Sequence, residues 1–129
     1  MRDENLLLAA LPEAERQRLD PYLREEVLQF QQVLIEPNQP ITTIYFPYDA
    51  ITSTIQEMSD GDSVETGLMG IEGFVGVQLW LHAPTTPTRT LVQVAGRAHV
   101  MKATDFLRQV RDTDSPLNIL CANTRTRFS

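Results

Sequence analysis

Gly70–Val94 reads GIEGFVGVQLWLHAPTTPTRTLVQV, and this stretch decides more about the chain than any other. Gly70, Gly73 and Gly76 recur at intervals of three around a short apolar run. A proline–threonine loop follows, and Arg89-Thr90 then opens a β-branched segment. Glycines at the start of a helix leave backbone N–H groups uncovered. Those groups, together with the positive end of the helix dipole, can cradle an anion. An arginine returning to the same point adds a two-pronged grip on phosphate or carboxylate. The stretch therefore predicts a turn, a short helix and a strand around a pocket for a small anionic ligand.

Upstream of it, Ile51–Ile55 and Ser63–Leu68 alternate apolar with polar residues, and Ser59-Asp60-Gly61-Asp62 lies between them. Asp-Gly between two alternating runs is a strong hairpin signal. Thr42–Phe46 is β-branched and aromatic and is stopped by Pro47, while Glu36-Pro37-Asn38-Gln39-Pro40 leaves little besides a turn. With Val27–Phe30, Val33–Ile35, Thr90–Val94 and Ala98–Met101, seven or eight short strands follow one another at intervals of about ten residues, which predicts a sandwich, jelly roll or barrel.

Helical texture flanks this region. Leu6, Leu7 and Ala10 fall on one face of a first short helix, and Pro12 opens a second that Asp20-Pro21 interrupts. After Met101, Ala103–Val110 reads as a helix with apolar residues at Phe106, Leu107 and Val110, and Thr104 or Asp105 suits its start. Asp114-Ser115-Pro116 then caps a last helix whose stripe is Leu117, Leu120, Cys121, Thr124 and Phe128. The expected organisation is one domain over 1–129: helices at about 3–20, a β-roll at about 26–102, and helices at about 103–128.

At 129 residues, 42% hydrophobic and 22% charged, the chain can bury roughly 65–70% of its unfolded surface and reads as a folded globule. A formal net charge of -6 repels a phosphate backbone, so nucleic acid is not an expected partner of this chain alone. Arg125 and Arg127 read as the complement of a helix C-terminus. Cys121, the single cysteine, excludes an internal disulfide and a multi-cysteine metal site, and its apolar surroundings suit a buried small hydrophobe. The N-terminal LLLAAL run is too short and too acidic in its flank for a signal peptide, and no stretch approaches the ~20 apolar residues of a membrane span. A cytoplasmic location is expected. His82 and His99 have no further ligand at metal-site spacing, and no Ser-His-Asp ordering stands out, so an enzyme is not expected. Asp60 and Asp62 read as solvated turn residues.

In this order of elements the chain resembles the cyclic-nucleotide-binding domain, and more narrowly the effector domain of Crp–Fnr-type transcription regulators. The resemblance runs from about Asn5 to Phe128. It rests on VLIEPNQPITTIYFP, on TPTRTLVQVAGRAHVM, and most specifically on SDGDSVETGLMGIEGFVG. It implies a mainly β domain with flanking helices, a double-stranded β-helix or jelly-roll barrel, acting as a ligand sensor. In the family's phosphate-binding cassette, Gly73 and Gly76 match the two small positions, and Arg89 with Thr90 match the pair that grips the cyclic phosphate. The ribose-binding glutamate falls on Phe74. A phenyl ring cannot accept a hydroxyl's hydrogen bond, a loss of about 1–3 kcal/mol in a buried site. Glu72, two residues earlier, would sit roughly 200° away on a helical turn. The connection from Gly76 to Arg89 is longer than in nucleotide-binding members, and Asn38-Gln39 replaces the family's frequent Gly-Asp.

The resemblance thus implies a sensor with a degenerate cyclic-nucleotide pocket, its effector a cyclic nucleotide, another small anion, or none. DNA would be reached only through a helix-turn-helix that this chain lacks. A homodimer through the last helix is allowed, and the apolar stripe still open at Phe128 suggests a truncated regulator. The competing structural readings pair Arg89 with Glu72 or Asp62, assign the glycines to tight turns, and make Phe74, Val77 and Trp80 core anchors of the short helix. Two other functions stay open: a protein–protein interaction module of the same fold with no small ligand, and a small cupin-type metalloenzyme.

Overall fold

The computed structural model describes residues 4–110. The chain begins with α1 (Leu6–Ala9), a single turn capped by Asn5, whose Oδ1 accepts from the N–H groups of Leu7 and Leu8. Leu7 and Leu8 are buried and Leu6 is 40% exposed. The buried face is therefore not the expected Leu6–Leu7–Ala10 set: one turn establishes no helical stripe. α2 (Glu13–Leu19) follows Pro12 with Glu13 and Glu15 in its first turn, and a 3-10 turn at Asp20–Tyr22 ends it.

Among the described residues seven strands follow: β1 (Arg24–Leu28), β2 (Val33–Ile35), β3 (Thr43–Pro47), β4 (Ile51–Glu57), β5 (Ser63–Met69), β6 (Arg89–Val94) and β7 (Gly96–Lys102). α3 (Val77–Trp80) interrupts them, and α4 (Ala103–Gln109) comes last among the described residues. They form two antiparallel sheets, ordered β1-β7-β3 and β2-β6-β4-β5. No ladder among the described residues closes these sheets into a barrel, so the jelly roll is two facing sheets. The β4–β5 turn holds Asp60-Gly61 as the sequence suggested, but spans 58–62. Met58 N–H donates to the Asp62 carbonyl at 2.7 Å, and Asp62 N–H to Asp60 Oδ1 at 3.0 Å.

The core has two parts, each drawing on both sheets. One gathers Ile35, Ile44, Phe46 and Met101 with Leu8, Leu19, Phe74 and Phe106 of the flanking segments; the other joins Leu28, Ala50, Val92, Ala98 and Val100. Alternation supplies these residues. On β6, Thr90 and Val92 are buried while Leu91 and Gln93 are not, because successive strand side chains point to opposite faces. α4 starts at Ala103 as expected, but Lys102 occupies its N-cap without a side-chain hydrogen bond, in place of the expected Thr104 or Asp105. Its Phe106 is fully buried against Phe74. The expected last helix, with Cys121, Arg125, Arg127 and Phe128, lies outside the described residues.

Asn5 secures the start of the domain to its middle. Fully buried, it donates through Nδ2 to the Pro47 carbonyl at 2.6 Å and the Gly73 carbonyl at 2.8 Å. Leu6 N–H reaches the Ile71 carbonyl at 2.8 Å. The glycine-rich turn is thus fixed from below before α3 begins.

Candidate functional site

A cavity of about 410 Å³ opens between the four-stranded sheet and α3. Six threonines line it: Thr52 and Thr54 of β4, Thr66 of β5, Thr90 of β6, and Thr86 and Thr88 of the loop before β6. Apolar side chains complete the wall, among them Ile35, Phe74, Val75 and Leu81. Among the described residues no charged side chain lines it.

Each side of the cavity is held by backbone geometry. Val75 and Tyr45 exchange N–H···O bonds at 2.8 and 3.1 Å, pinning the segment before α3 to β3. Gly76 then caps α3 at φ 114°, and a Cβ there would sit 2.4 Å from Ile44 Cδ1. Both the left-handed turn and the close approach require glycine. The threonine loop docks on the early turn, with Asn38 N–H to the Thr86 carbonyl at 2.7 Å and Ile41 N–H to the Pro84 carbonyl at 2.9 Å. Asn38 has φ 61°. Asparagine tolerates this conformation better than most residues.

The five residues expected at a phosphate cassette divide. Phe74, Gly76 and Thr90 line the cavity. Gly73 lies behind it: its N–H points to the Gly70 carbonyl at 3.4 Å and its carbonyl accepts from Asn5. Arg89 is elsewhere. As the strand neighbour of inward-facing Thr90, it projects from the other face of β6. There its Nε lies 3.2 Å from Glu36 Oε1 and an Nη 2.9 Å from Glu57 Oε1, with the side chain 37% exposed. The structure therefore does not bring the guanidinium to the glycine turn. It also replaces the expected partners Glu72 and Asp62 with Glu36 and Glu57. Glu72 lies in a turn rather than on a helix, and its Oε1 accepts from Gly70 N–H at 3.4 Å, so the helical angle assigned to it does not apply.

Phe74 is 1% exposed and sits between Phe46 and Phe106, with ring centroids 5.8 and 5.6 Å away. It anchors the core and also lines the cavity. Val77 and Trp80 pack against the same core only partly buried, and Leu79, which the spacing-of-three pattern missed, is the buried residue of α3. Gln78 is a second omission. It lines the cavity, and its Oε1 is buried without a hydrogen-bond partner. No signal in the sequence singles it out.

The hydroxyls are largely engaged with one another and with main-chain oxygens. Thr54 and Thr90 Oγ1 are 3.1 Å apart, Thr86 and Thr88 Oγ1 2.9 Å apart, and Thr66 donates to the Thr54 carbonyl at 3.2 Å. A separate polar cluster lies at the three-stranded sheet, where the tilted rings of Tyr48 and His99 have centroids 5.1 Å apart and Arg97 lies 4.8 Å above the Tyr48 ring. Burial, helped by Arg16, lowers the His99 pKa, and burial with the Glu25 carboxylate pushes Tyr48 up to about 12.

Two antiparallel sheets with flanking helices, and a one-turn helix closing a cavity against one of them, make up the jelly-roll architecture of cyclic-nucleotide-binding domains. Solved structures of that class match nearly the whole chain. The N-terminal domain of a transcriptional regulator from Streptomyces coelicolor A3(2) is 16% identical, with 95% of this chain and 87% of that one covered and a TM-score of 0.72. The sensor domain of the transcriptional regulator DNR from Pseudomonas aeruginosa is 16% identical, covering 94% and 81%, with a TM-score of 0.71. The Thermus thermophilus catabolite activator protein is 12% identical with a TM-score of 0.75; 94% of this chain matches 56% of that protein. No protein-family model and no curated protein matches the sequence. Among the described residues, no helix is long and apolar enough to cross a membrane.

Proposed function

We propose that this chain is the ligand-sensing domain of a transcription regulator of the Crp–Fnr kind, with a degenerate cyclic-nucleotide pocket. The observation that carries the reading is the cavity between α3 and the four-stranded sheet, in a fold shared with regulator sensor domains. Its degeneracy rests on two residues. Phe74, on which the resemblance puts the ribose glutamate, is a core side chain, and Arg89 is held by two carboxylates on the opposite face of β6. No catalytic role is assigned to any residue.

The test is ligand-observed NMR of a metabolite panel that includes cyclic AMP, run against wild type and Gly67→Leu. Gly67 lines the cavity, and a Cβ built there meets nothing within 4 Å, so leucine fills the space without forcing the strand apart. A compound that binds wild type and not the filled variant supports a sensor. A panel without such a compound counts against one. A second reading, a protein-binding module of the same fold, is favoured by Val27 and Phe30, which are 60% and 61% exposed around the end of β1. Concentration-dependent sedimentation that Phe30→Ser abolishes would support it.

A further inference from the structure

Resting on the sensor reading above, we infer that the cavity takes an uncharged small molecule with an apolar body and at least one N–H or O–H donor, which Gln78 Oε1 accepts. It is not an anion site.

Charge decides the first half. A phosphate or carboxylate moved into the cavity sheds its hydration and meets no cation among the described lining residues. Burying an ion without a countercharge is far more costly than burying a neutral polar group. The nearest candidate cation along the chain, Arg89, is on the other face of β6 and already bridges Glu36 and Glu57. Moving it inward would break both pairs and leave two carboxylates behind. α3 is only four residues long and offers no substantial dipole. The net charge of -6 adds a further bias against anions.

Hydrogen-bond inventory decides the second half. Gln78 Oε1 is a buried acceptor with no partner, and such groups in folded proteins are normally satisfied. Oε1 is closed to solvent as the side chain stands, so the amide must turn about its last bond, as terminal amides readily do, for an N–H or O–H on a bound molecule to satisfy it. The two threonine pairs supply the complementary function. In Thr54–Thr90 and in Thr86–Thr88, one proton lies between two oxygens, so the accepting hydroxyl of each pair keeps its own proton to donate. Two neutral donors and one neutral acceptor, set in an apolar wall, suit a carboxamide, lactam or alcohol. At about 410 Å³, the cavity is in the range of small-molecule sites.

The experiment uses a shape-matched series of uncharged aromatic carboxamides, their carboxylates and their methyl esters, with benzamide, benzoate and methyl benzoate as parents. Binding to the full chain is followed by ligand-observed NMR. Carboxamides are expected to bind, esters about tenfold more weakly for want of the donor, and carboxylates more weakly still. Gln78→Leu should reduce carboxamide affinity about tenfold and leave the esters unchanged. Arg89→Ala should change neither, and Gly67→Leu should abolish both. Preferential binding of benzoate, whether or not Arg89→Ala removes it, would overturn the neutral-ligand inference while leaving a sensor. Equal binding of carboxamide and ester, indifferent to Gln78→Leu, would overturn the role of Gln78. If no member of the series binds wild type, or if Gly67→Leu changes nothing, the present inference is overturned, and the metabolite panel alone decides the sensor reading.

Discussion

Replacing Phe74 with glutamate would restore, in sequence, the residue that the cyclic-nucleotide family uses for ribose. In this structure it should instead nearly unfold the domain, and do so in a pH-dependent way. Phe74 is 1% exposed and packs between Phe46 and Phe106 at 5.8 and 5.6 Å. Losing a phenyl ring from such a site costs about 3–5 kcal/mol, out of the roughly 5–15 kcal/mol that holds a domain together. Burial then raises the pKa of the new carboxyl above its unfolded value of about 4.3. An acid whose folded pKa is raised contributes no penalty below its unfolded pKa. Its penalty grows by about 1.36 kcal/mol per pH unit as pH rises towards the folded value. Phe74→Gln suffers the same loss of packing without the ionisation. Urea unfolding of the two variants at pH 5.5, 7 and 8.5 isolates the charge. The Glu variant should fall further below the Gln variant at each step, by about 1.4 kcal/mol per unit until the folded pKa is passed. A Glu–Gln difference that is small and flat with pH would refute the reasoning. It would mean that position 74 reaches water, as a ribose ligand's position must.

Three other substitutions test the rest of the frame. Arg89→Ala removes two partly exposed ion pairs, so about 0.5–1.5 kcal/mol, or roughly 2–6 °C in melting temperature, should be lost, and less in high salt. A loss well beyond that in thermal melts would show a buried role. Asn5→Ala deletes two cap acceptances and two long-range donations within the chain. It should cost about 2–4 kcal/mol in urea titrations and speed amide exchange around Gly73, whose carbonyl loses its donor. His99 has a lowered pKa through burial and the nearby Arg16, so its stabilising contribution is complete above the unfolded pKa of about 6.5. That contribution declines as pH falls from there towards the lowered folded value. Between pH 7.5 and 5.5 wild type should lose stability more steeply than His99→Gln, and parallel curves would rule out the contribution.

Much of the frame was legible in the residues. Alternation in Ile51–Ile55 and Ser63–Leu68, the Asp60-Gly61 turn and the Pro47 stop placed the strands within a few residues, yet in β4 it missed the inward face, where Thr52 and Ser53 are buried and Ile51 is 37% exposed. What failed was orientation. Arg89-Thr90 was expected to act as one grip, yet adjacent residues on an extended strand face opposite ways, and the inward place went to threonine. The rule was available in the sequence; only the register, which decides which neighbour turns inward, was not. Gln78 was illegible for another reason. One glutamine in a four-residue helix acquires meaning only when the strands opposite enclose it. Phe74 divided between the two cases. Its departure from a glutamate was visible at once, but its ring partners come from β3 and α4, far away in the chain.

The Asn5 staple has a consequence for how this architecture survives mutation. Both acceptors it reaches are main-chain oxygens, at Pro47 and Gly73, so the clasp is indifferent to the side chains that happen to occupy those places. Residues there can be exchanged over generations without loosening it, provided the backbone path is kept. A chain that shares only 12–16% of its residues with three proteins of like shape can hold that shape through fastenings of this sort, which leave little trace in an alignment.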